Sequence, residues 1–275
     1  MKYTKTVHIV SLLVCLVLLI ITILPLGLML VNSFKSNVAI ANNPLSLPKT
    51  IHVTNFVRAW KFGHLGTALV NSVLITILTV VVTILVSCMA AYVLSTKRMK
   101  HWKAMSIYFL ACNTIPKQLF IIPLFFILQR MGLINNRVAL AVIYSAIFTP
   151  FAIFLLRTYF LQIDKDIENS ARVDGAGSLR IFFSILLPLI QPGILTAALI
   201  VGLWCWNEFL FAVTFLQNDL FYTVAVRFYS FTSRYVTEWG TLMAYAVMIT
   251  IPILLFFIIL QKRFISGMTA GGVKG

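Results

Sequence analysis

The chain has 275 residues, of which 60% are hydrophobic and only 11% are charged, and its mean hydropathy is +0.98. A soluble domain of this composition would expose large apolar patches, so we predict an integral membrane protein. The net charge of +15 does not indicate a nucleic-acid partner. The lysines and arginines are scattered between apolar runs, where such residues orient membrane spans.

Six apolar segments are long enough, or nearly so, to cross a bilayer as helices. Their approximate ranges are 8–31, 68–94, 105–129, 138–161, 189–215 and 243–262. The first run is too long for a signal-peptide core and lacks a small-x-small cleavage site, so we expect it to be a retained span. Because backbone polar groups must be paired inside lipid, the pattern predicts an all-α, polytopic membrane fold with six transmembrane helices.

The basic residues predict that both termini lie in the cytoplasm. The strongest indication is the cluster Lys97–Lys103 between the second and third spans, because short loops follow the positive-inside rule best. Segments 35–67, 130–137 and 216–242 are then external. Segment 35–67 is expected to hold short irregular structure, and Gly132 with two following asparagines suits a tight turn.

The cysteines and histidines predict neither disulfides nor a metal site. All four cysteines lie inside apolar runs without a C-x-x-C pair, and the histidines lack metal-ligand spacing. These residues are Cys15, Cys88, Cys112 and Cys205, and His8, His52, His64 and His101.

A polar segment, 164–177, stands out between the fourth and fifth spans and holds four of the seven acidic residues of the chain. Asp164 is expected to cap a short helix, with Glu168, Ala171 and Arg172 on one face. Gly175 and Gly177 would supply the turn that ends it, and small residues would let another surface approach. An apolar stripe of Leu179, Phe182, Phe183 and Leu186 would lead back into the membrane. A charged, helical loop of this kind predicts a docking surface for a soluble partner.

Polar residues inside the spans form a second group, because burying them in lipid is costly and often indicates function. Sugars need amides, carboxylates and aromatic faces, so these residues predict a solute path. The alternative is structural: Glu208 pairs with Lys117, or the amides bridge helices. The group comprises Asn113, Lys117 and Gln118 in span three, Asn207 and Glu208 beside Trp204, Trp206 and Phe209 in span five, and Asn71 and Ser72 in span two.

Several motifs in order along the chain resemble one known family. Glu168-Asn-Ser-Ala-Arg-Val-Asp-Gly-Ala176, followed by Ile185-Leu-Leu-Pro188, resembles the EAA loop of ABC importer permeases. Trp206-Asn-Glu-Phe-Leu210, Ile122-Pro-Leu124 with Met131-Gly-Leu-Ile-Asn135, and the ending Thr269–Gly275 resemble the carbohydrate-uptake branch, in its maltose-permease-type, shorter subunit. Asn169 and Ser170 depart from the alanines of the family pattern, but small polar residues pack similarly.

The resemblance implies a type I, binding-protein-dependent importer fold. Residues 1–67 would form the first span and an external loop, 68–263 the ABC transmembrane domain with five spans and a coupling loop at 162–188, and 264–275 a cytoplasmic tail. The coupling residues carried over are Glu168, Ala171, Arg172, Asp174, Gly175, Ala176 and Pro188.

The resemblance also implies partners. A second homologous permease would complete the path, two cytoplasmic ATPase subunits would bind the coupling loops, and an external protein would deliver the solute to a prokaryotic cell membrane. ATP and Mg²⁺ would be used by the ATPase, whereas this chain would be non-catalytic and hold no cofactor. Gly267-x-x-x-x-Gly272 lacks the lysine and the strand–helix context of a phosphate loop.

Two other classes fit the sequence less well. A secondary transporter of a small polar solute would place ionisable residues near mid-bilayer, often within inverted repeats, and no repeat is visible. A membrane enzyme would need a His, Asp or Cys constellation at one membrane face. The sequence does not identify the solute among oligosaccharides, monosaccharides and related compounds.

Overall fold

A computed structural model describes residues 5–234 and 238–272, and within those ranges the regular structure is entirely helical. The helices are α1 Lys5–Ser33, α2 Asn37–Asn42, α3 Thr54–Phe62, α4 Leu65–Thr96, α5 Trp102–Thr114, α6 Ile121–Arg130, α7 Arg137–Phe160, α8 Lys165–Val173, α9 Ser178–Arg180, α10 Leu187–Leu189, α11 Gln191–Asn207, α12 Leu210–Phe215, α13 Val224–Arg234 and α14 Trp239–Gly272. The all-α prediction is therefore confirmed.

Four helices are long and apolar enough to cross a membrane: α1, α4, α7 and α14. Two further spans are bent pairs of helices, Trp102–Thr114 with Lys117–Arg130 and Ser178–Leu189 with Gln191–Asn207. If each pair is one span, the described chain has six, which is the predicted number. The spans predicted at 105–129 and 189–215 are not continuous helices, because both are interrupted.

The break in span three has a local cause. Ile115 leaves the helical region, with φ −74° and ψ 127°, and Pro116 follows it. A proline lacks the amide hydrogen that would continue the helix and disfavours helical backbone in the residue before it. The two halves consequently meet at 90°.

Span five is interrupted twice. The bend of 75° lies at Ile190, just after Pro188. Glu208 and Phe209 then separate α11 from α12, so the helix ends in the middle of the predicted span. Broken helices at membrane depth are tolerated where they are buried in protein or line a cavity. In transporters such breaks commonly form the binding site, so we expect functional residues beside them.

The loops hold more helix than expected. Segment 35–67 contains α2 and α3, and segment 216–242 contains α13 and the start of α14. The turn at 130–137 is confirmed: Gly132 has φ +67° and Asn135 φ +62°. At the other end, α14 continues through Gly272, so the backbone of the predicted tail is helical up to that residue, and 273–275 lie outside the described residues.

The described chain divides into two compact units. The first comprises the residues up to Gly66 with Arg227–Pro252, and the second Thr67–Val226 with the residues from Ile253 onward. Within the first, the buried amide of Asn55 donates to the carbonyls of Ser33 and Lys35, both at 2.9 Å, which ties α3 to the end of α1.

The second unit contains two clusters of buried side chains. One is built around Tyr144, Phe148, Phe211 and Phe215, where α7 packs on α11 and α12. The other joins Leu156, Phe160, Phe182 and Ile190 to the small side chain of Ala171 on α8. The polar segment 164–177 is thus anchored to the ends of the membrane helices by apolar packing.

Candidate coupling segment and pathway residues

Helix α8 begins where the sequence predicts. Asp164 occupies the N-cap position, and its carboxylate accepts a hydrogen bond from the amide of Asp166 at 3.1 Å. Asp166 and Glu168 lie in the first turn, where the helix dipole favours negative charge. The start of this segment is therefore set by local sequence.

The end of α8 is a Schellman motif. The amide of Ala176 donates to the carbonyl of Ala171 at 2.9 Å, and the amide of Gly175 donates to that of Arg172 at 3.1 Å. Gly175 has φ +80°, a conformation that side chains with a Cβ rarely adopt. Asp174 is the C-cap residue. Gly177, by contrast, has φ −69°, so the prediction that it also needs glycine's freedom was wrong.

Glu168 is engaged inside the chain. Its Oε1 accepts hydrogen bonds from Arg98 at 2.8 Å, Arg172 at 2.8 Å and the hydroxyl of Tyr92 at 3.0 Å. The side chain is only 12% exposed. Partial burial raises the pKa of Glu168, but the hydrogen bonds from Arg172, Tyr92 and Arg98 outweigh burial and leave that pKa below its ordinary value.

The alanines of the segment also face inward. Ala171 is buried in the cluster with Leu156 and Phe182, and Ala176 packs against that cluster. They therefore let α8 approach the chain's own helices, whereas the sequence suggested an approach by another surface. The reason is that α8 is amphipathic, and Ala171 lies on the face that packs against the chain's own membrane helices.

The outer face of the segment combines polar and apolar groups. Asn169 and Ser170 are exposed, and the apolar side chains of Val173 and Leu179 are 87% and 75% exposed. The predicted apolar stripe is therefore split: Phe182 and Leu186 are buried, whereas Leu179 and Phe183 face outward. Val173 and Leu179 thus give this face two apolar side chains that the chain itself leaves uncovered.

Pro188 follows a short π-helix. Residues Ile181–Leu186 form this π-helix, and the amide of Leu187 donates to the carbonyl of Phe182. Pro188 lies in α10 with its ring exposed and cannot donate to the preceding turn. π-turns of this kind occur frequently at functional sites.

Seven of the predicted pathway residues flank two interruptions of the spans, the one at Pro116 and the one at Glu208. Asn113, Lys117 and Gln118 lie on either side of the break at Pro116, and Trp204, Asn207, Glu208 and Phe209 lie at the end of α11. The structure brings the two breaks together, because the ammonium of Lys117 lies 5.1 Å from the ring centre of Trp204.

An aromatic cluster surrounds this contact. Lys117 also lies 4.8 Å from the ring centre of Phe148, and Trp204 packs on Phe151 with 4.5 Å between ring centres. Trp204 is 40% exposed, so a face of the cluster is open. Phe148 and Phe151 carried no signal in the sequence beyond hydrophobicity. A cation on aromatic rings offers hydrogen-bond donors beside an apolar face.

The carboxylate of Glu208 is bonded to groups within the chain. Its carboxylate accepts hydrogen bonds from the backbone amides of Phe211 at 3.0 Å and Ala212 at 3.1 Å, and from the hydroxyl of Tyr144. It thus caps α12. Within the described residues it forms no ion pair with Lys117, so that predicted alternative is wrong. The start of a new helix, with its unpaired amides, is a nearer partner for the carboxylate.

Three of the four amide side chains in the group are exposed, those of Asn113, Gln118 and Asn207. Asn113 donates to the carbonyl of Phe109 and Asn207 to that of Leu203, each one helical turn back, and Gln118 lies at the surface. They are not brought into contact with one another. A cavity of about 540 Å³ adjoins Lys117, but apolar side chains such as Val82, Phe109 and Ile143 line most of it, so it offers few partners to sugar hydroxyls.

Asn71 and Ser72 prove to hold a loop. The Asn71 amide donates to the carbonyls of Leu220 and Tyr222 and accepts from Arg137 at 2.8 Å. The Ser72 hydroxyl accepts from the amide of Val224. Their buried polar groups are therefore satisfied within the chain, and they fix the segment that follows α12.

Comparisons with known proteins agree with this geometry. Residues 83–270 match the family model described as "Binding-protein-dependent transport system inner membrane component". The probable ABC transporter permease protein YurM of Bacillus subtilis is 36% identical, over 91% of this chain and 83% of the relative. The diacetylchitobiose uptake system permease protein NgcG of Streptomyces coelicolor is 33% identical, over 92% and 84%.

A solved structure shares the fold. A bacterial ABC transporter involved in the import of the acidic polysaccharide alginate superposes with a TM-score of 0.82, covering 96% of this chain and 99% of the other. The sequence identity is 22%, so this likeness concerns the fold. The matched region of the family model includes the whole of α8, the Schellman turn and both breaks.

Proposed function

The chain belongs to the family of inner membrane components of binding-protein-dependent transport systems, and on that premise we propose that it is a permease subunit of an ATP-driven importer of an oligosaccharide or related sugar. The relative from Streptomyces is named for the uptake of a disaccharide derivative, which supports a carbohydrate solute. The cluster of Lys117, Phe148 and Trp204 offers donors and an open aromatic face to such a solute. The secondary-transporter alternative has no observation in its favour.

The proposal includes partners and a topology. A second, homologous permease completes the path, two copies of an ATPase bind on the cytoplasmic side with ATP and Mg²⁺, and an external protein delivers the sugar. The chain itself does not hydrolyse ATP. The N-terminus and the C-terminus lie in the cytoplasm with the Lys97–Lys103 cluster, as the positive-inside rule predicts.

One observation carries the proposal: the outer face of α8 and the turn after it is open and partly apolar, although its inner face is fixed to the membrane helices. Val173 and Leu179 are exposed, whereas Ala171 and Glu168 are held inside. A short exposed helix that is fixed to the ends of membrane helices can transmit movement from a soluble ATPase. The movement would be a rigid-body transition of the kind that opens and closes transport paths.

Co-purification with transport assays tests the proposal. The tagged chain, extracted from its native membrane in mild detergent, should bring a second permease and an ATPase subunit. After reconstitution with the external binding protein, ATP should drive uptake of at least one sugar from a labelled panel of diacetylchitobiose, melibiose, trehalose and raffinose. Purification of the chain alone, with uptake driven by an ion gradient, would contradict the proposal.

A further inference from the structure

Helix α8 has a polar contact with a residue of a different loop, in addition to its apolar packing. The guanidinium of Arg98 lies 2.8 Å from Oε1 of Glu168, although the two residues are 70 positions apart. Arg98 lies just beyond the end of α4, in the basic cluster that the sequence assigned to topology. Tyr92, in the last turns of α4, donates to the same oxygen.

The backbone at this point is fixed in an uncommon conformation. Lys97, immediately after α4, has φ +55°, which residues with a Cβ rarely adopt. The turn places Arg98 beside α8. Next to the contact lies a cavity of about 180 Å³, lined by Thr96, Asp164 and Asn169 among others, so the side chains of the two loops meet across a partly open gap.

We propose that Arg98 is a positioning residue, which with Glu168 clamps the coupling helix α8 to the cytoplasmic end of α4 so that the two move as one body. The inference rests on the proposed function, because it assigns the clamp a role in transmitting ATPase movement. It also assigns the Glu168 carboxylate to a contact within the chain. The surface offered to the ATPase is then the outer one with Asn169, Val173 and Leu179.

Two features separate the clamp from simple neutralisation of charge. Glu168 already has a partner on its own helix, Arg172, at i+4. Arg98 therefore adds a connection between elements that local charge balance does not require. The arginine is also 56% exposed while the carboxylate is nearly enclosed, so Arg98 can be replaced without opening a cavity in the core.

The test uses the whole importer, reconstituted with its binding protein. Arg98→Gln removes the clamp, Arg98→Lys keeps a cation, and Lys100→Gln removes an exposed cation from the same loop as the matched control. Arg98→Gln should leave the yield of the complex and the bound ATPase unchanged. Sugar transported per ATP hydrolysed should fall about three- to tenfold, the effect of a partly exposed, charge-assisted contact. Arg98→Lys should recover most of it, and Lys100→Gln should behave as the wild type.

The outcomes distinguish this inference from the function on which it rests. If the wild-type protein shows ATP-driven uptake and Arg98→Gln couples as well as Lys100→Gln, the clamp is overturned and the function stands. If Arg98→Gln loses the ATPase from the complex, Arg98 is a docking residue and the positioning role is overturned. If the wild type neither binds an ATPase nor uses ATP, the proposed function itself fails. Amide exchange gives a second readout: α8 should lose protection in Arg98→Gln and keep it in Lys100→Gln.

Discussion

The hydroxyl of Tyr144 donates a hydrogen bond to the carboxylate of Glu208, which joins the first half of α7 to the break between α11 and α12. Tyr144 is only 1% exposed and belongs to the aromatic cluster with Phe148 and Phe211. Because the same carboxylate caps α12, the contact fixes the point at which span five changes direction. The carboxylate of Glu208 is therefore engaged by groups of the chain itself.

This arrangement predicts that Tyr144→Phe and Glu208→Gln act first on assembly. Removing one hydrogen bond to a charged group costs about 1.5–3 kcal/mol. In Glu208→Gln one carboxylate oxygen is replaced by an NH2 group that cannot accept, so one of the two hydrogen bonds from the backbone amides of Phe211 and Ala212 is lost as well. Both variants should lower the thermal midpoint of the purified complex and its yield, measured by fluorescence size-exclusion chromatography.

Tyr108→Phe is the matched control, because Tyr108 is 59% exposed, and it should leave the midpoint unchanged. Normal yield in Glu208→Gln combined with strongly reduced uptake would show instead that the carboxylate meets the solute.

Local signals in the sequence predicted local features well. Asp164 as a cap and Gly175 as a left-handed turn depend on residues within one helical turn, and both are found. The partners of Glu168 could not be predicted, because Arg98 and Tyr92 lie 70 and 76 positions away and became neighbours only when α4 and α7 packed. The sequence alone therefore indicates Glu168 as a residue that contacts the partner.

The breaks in spans three and five could not be predicted from hydropathy. Pro116 was visible in the sequence, but the apolar composition continues on both sides, so a hydropathy window takes α5 and α6 as one straight helix. The interruption at Glu208 has no proline. It depends on a distant tyrosine and on the capping of α12, which composition does not encode.

Gly175 provides a prediction on backbone strain. Gly175→Val should abolish uptake while the protein still reaches the membrane, because a β-branched residue at φ +80° costs about 1–3 kcal/mol and would unwind the turn. Gly175→Asn should retain most uptake, since asparagine tolerates the left-handed region. A Cβ at either Gly175 or Gly177 would meet nothing within 4 Å, so Gly177→Val tests volume without strain and should be active. Equal loss in Gly175→Asn and Gly175→Val would show that strain is not the cause.

Lys117 provides a prediction on the pathway. Lys117→Met keeps length and removes the charge from the rings of Phe148 and Trp204, and sugar uptake should fall about tenfold, with Lys117→Arg largely retaining it. Lys103→Met is the control, because Lys103 also lies over an aromatic ring, 5.8 Å from that of Trp102, but at the start of α5 and away from the cluster. Uptake should be measured at equal amounts of assembled complex. Full activity of Lys117→Met would show that the cluster of Lys117, Phe148 and Trp204 is not part of the pathway.

The lowered pKa of Glu168 predicts a dependence of stability on pH. A carboxylate whose pKa is lower in the folded state stabilises that state above its unfolded pKa of about 4.3, and the contribution disappears as pH falls through the folded value. The difference in thermal midpoint between wild type and Glu168→Gln should therefore be constant from about pH 8 to pH 5 and shrink below pH 4. A difference that already disappears near pH 6 would contradict the hydrogen-bonded carboxylate.

The last prediction concerns orientation, on which the docking role of α8 depends. In a variant without Cys15, Cys88, Cys112 and Cys205, single cysteines at Lys100, Ser170 and Met131 sample the basic loop, α8 and the turn after α6. All three positions are exposed, so access from one side of the membrane decides the result. With an impermeant maleimide, intact cells should label only at 131, and permeabilised cells should label at all three. The permeabilised sample controls for local reactivity, since a cysteine that stays unlabelled there reports burial and not sidedness. Labelling at 170 in intact cells would put α8 on the external side of the membrane, where no ATP is available. It would refute both the coupling role of α8 and the clamp between Arg98 and Glu168.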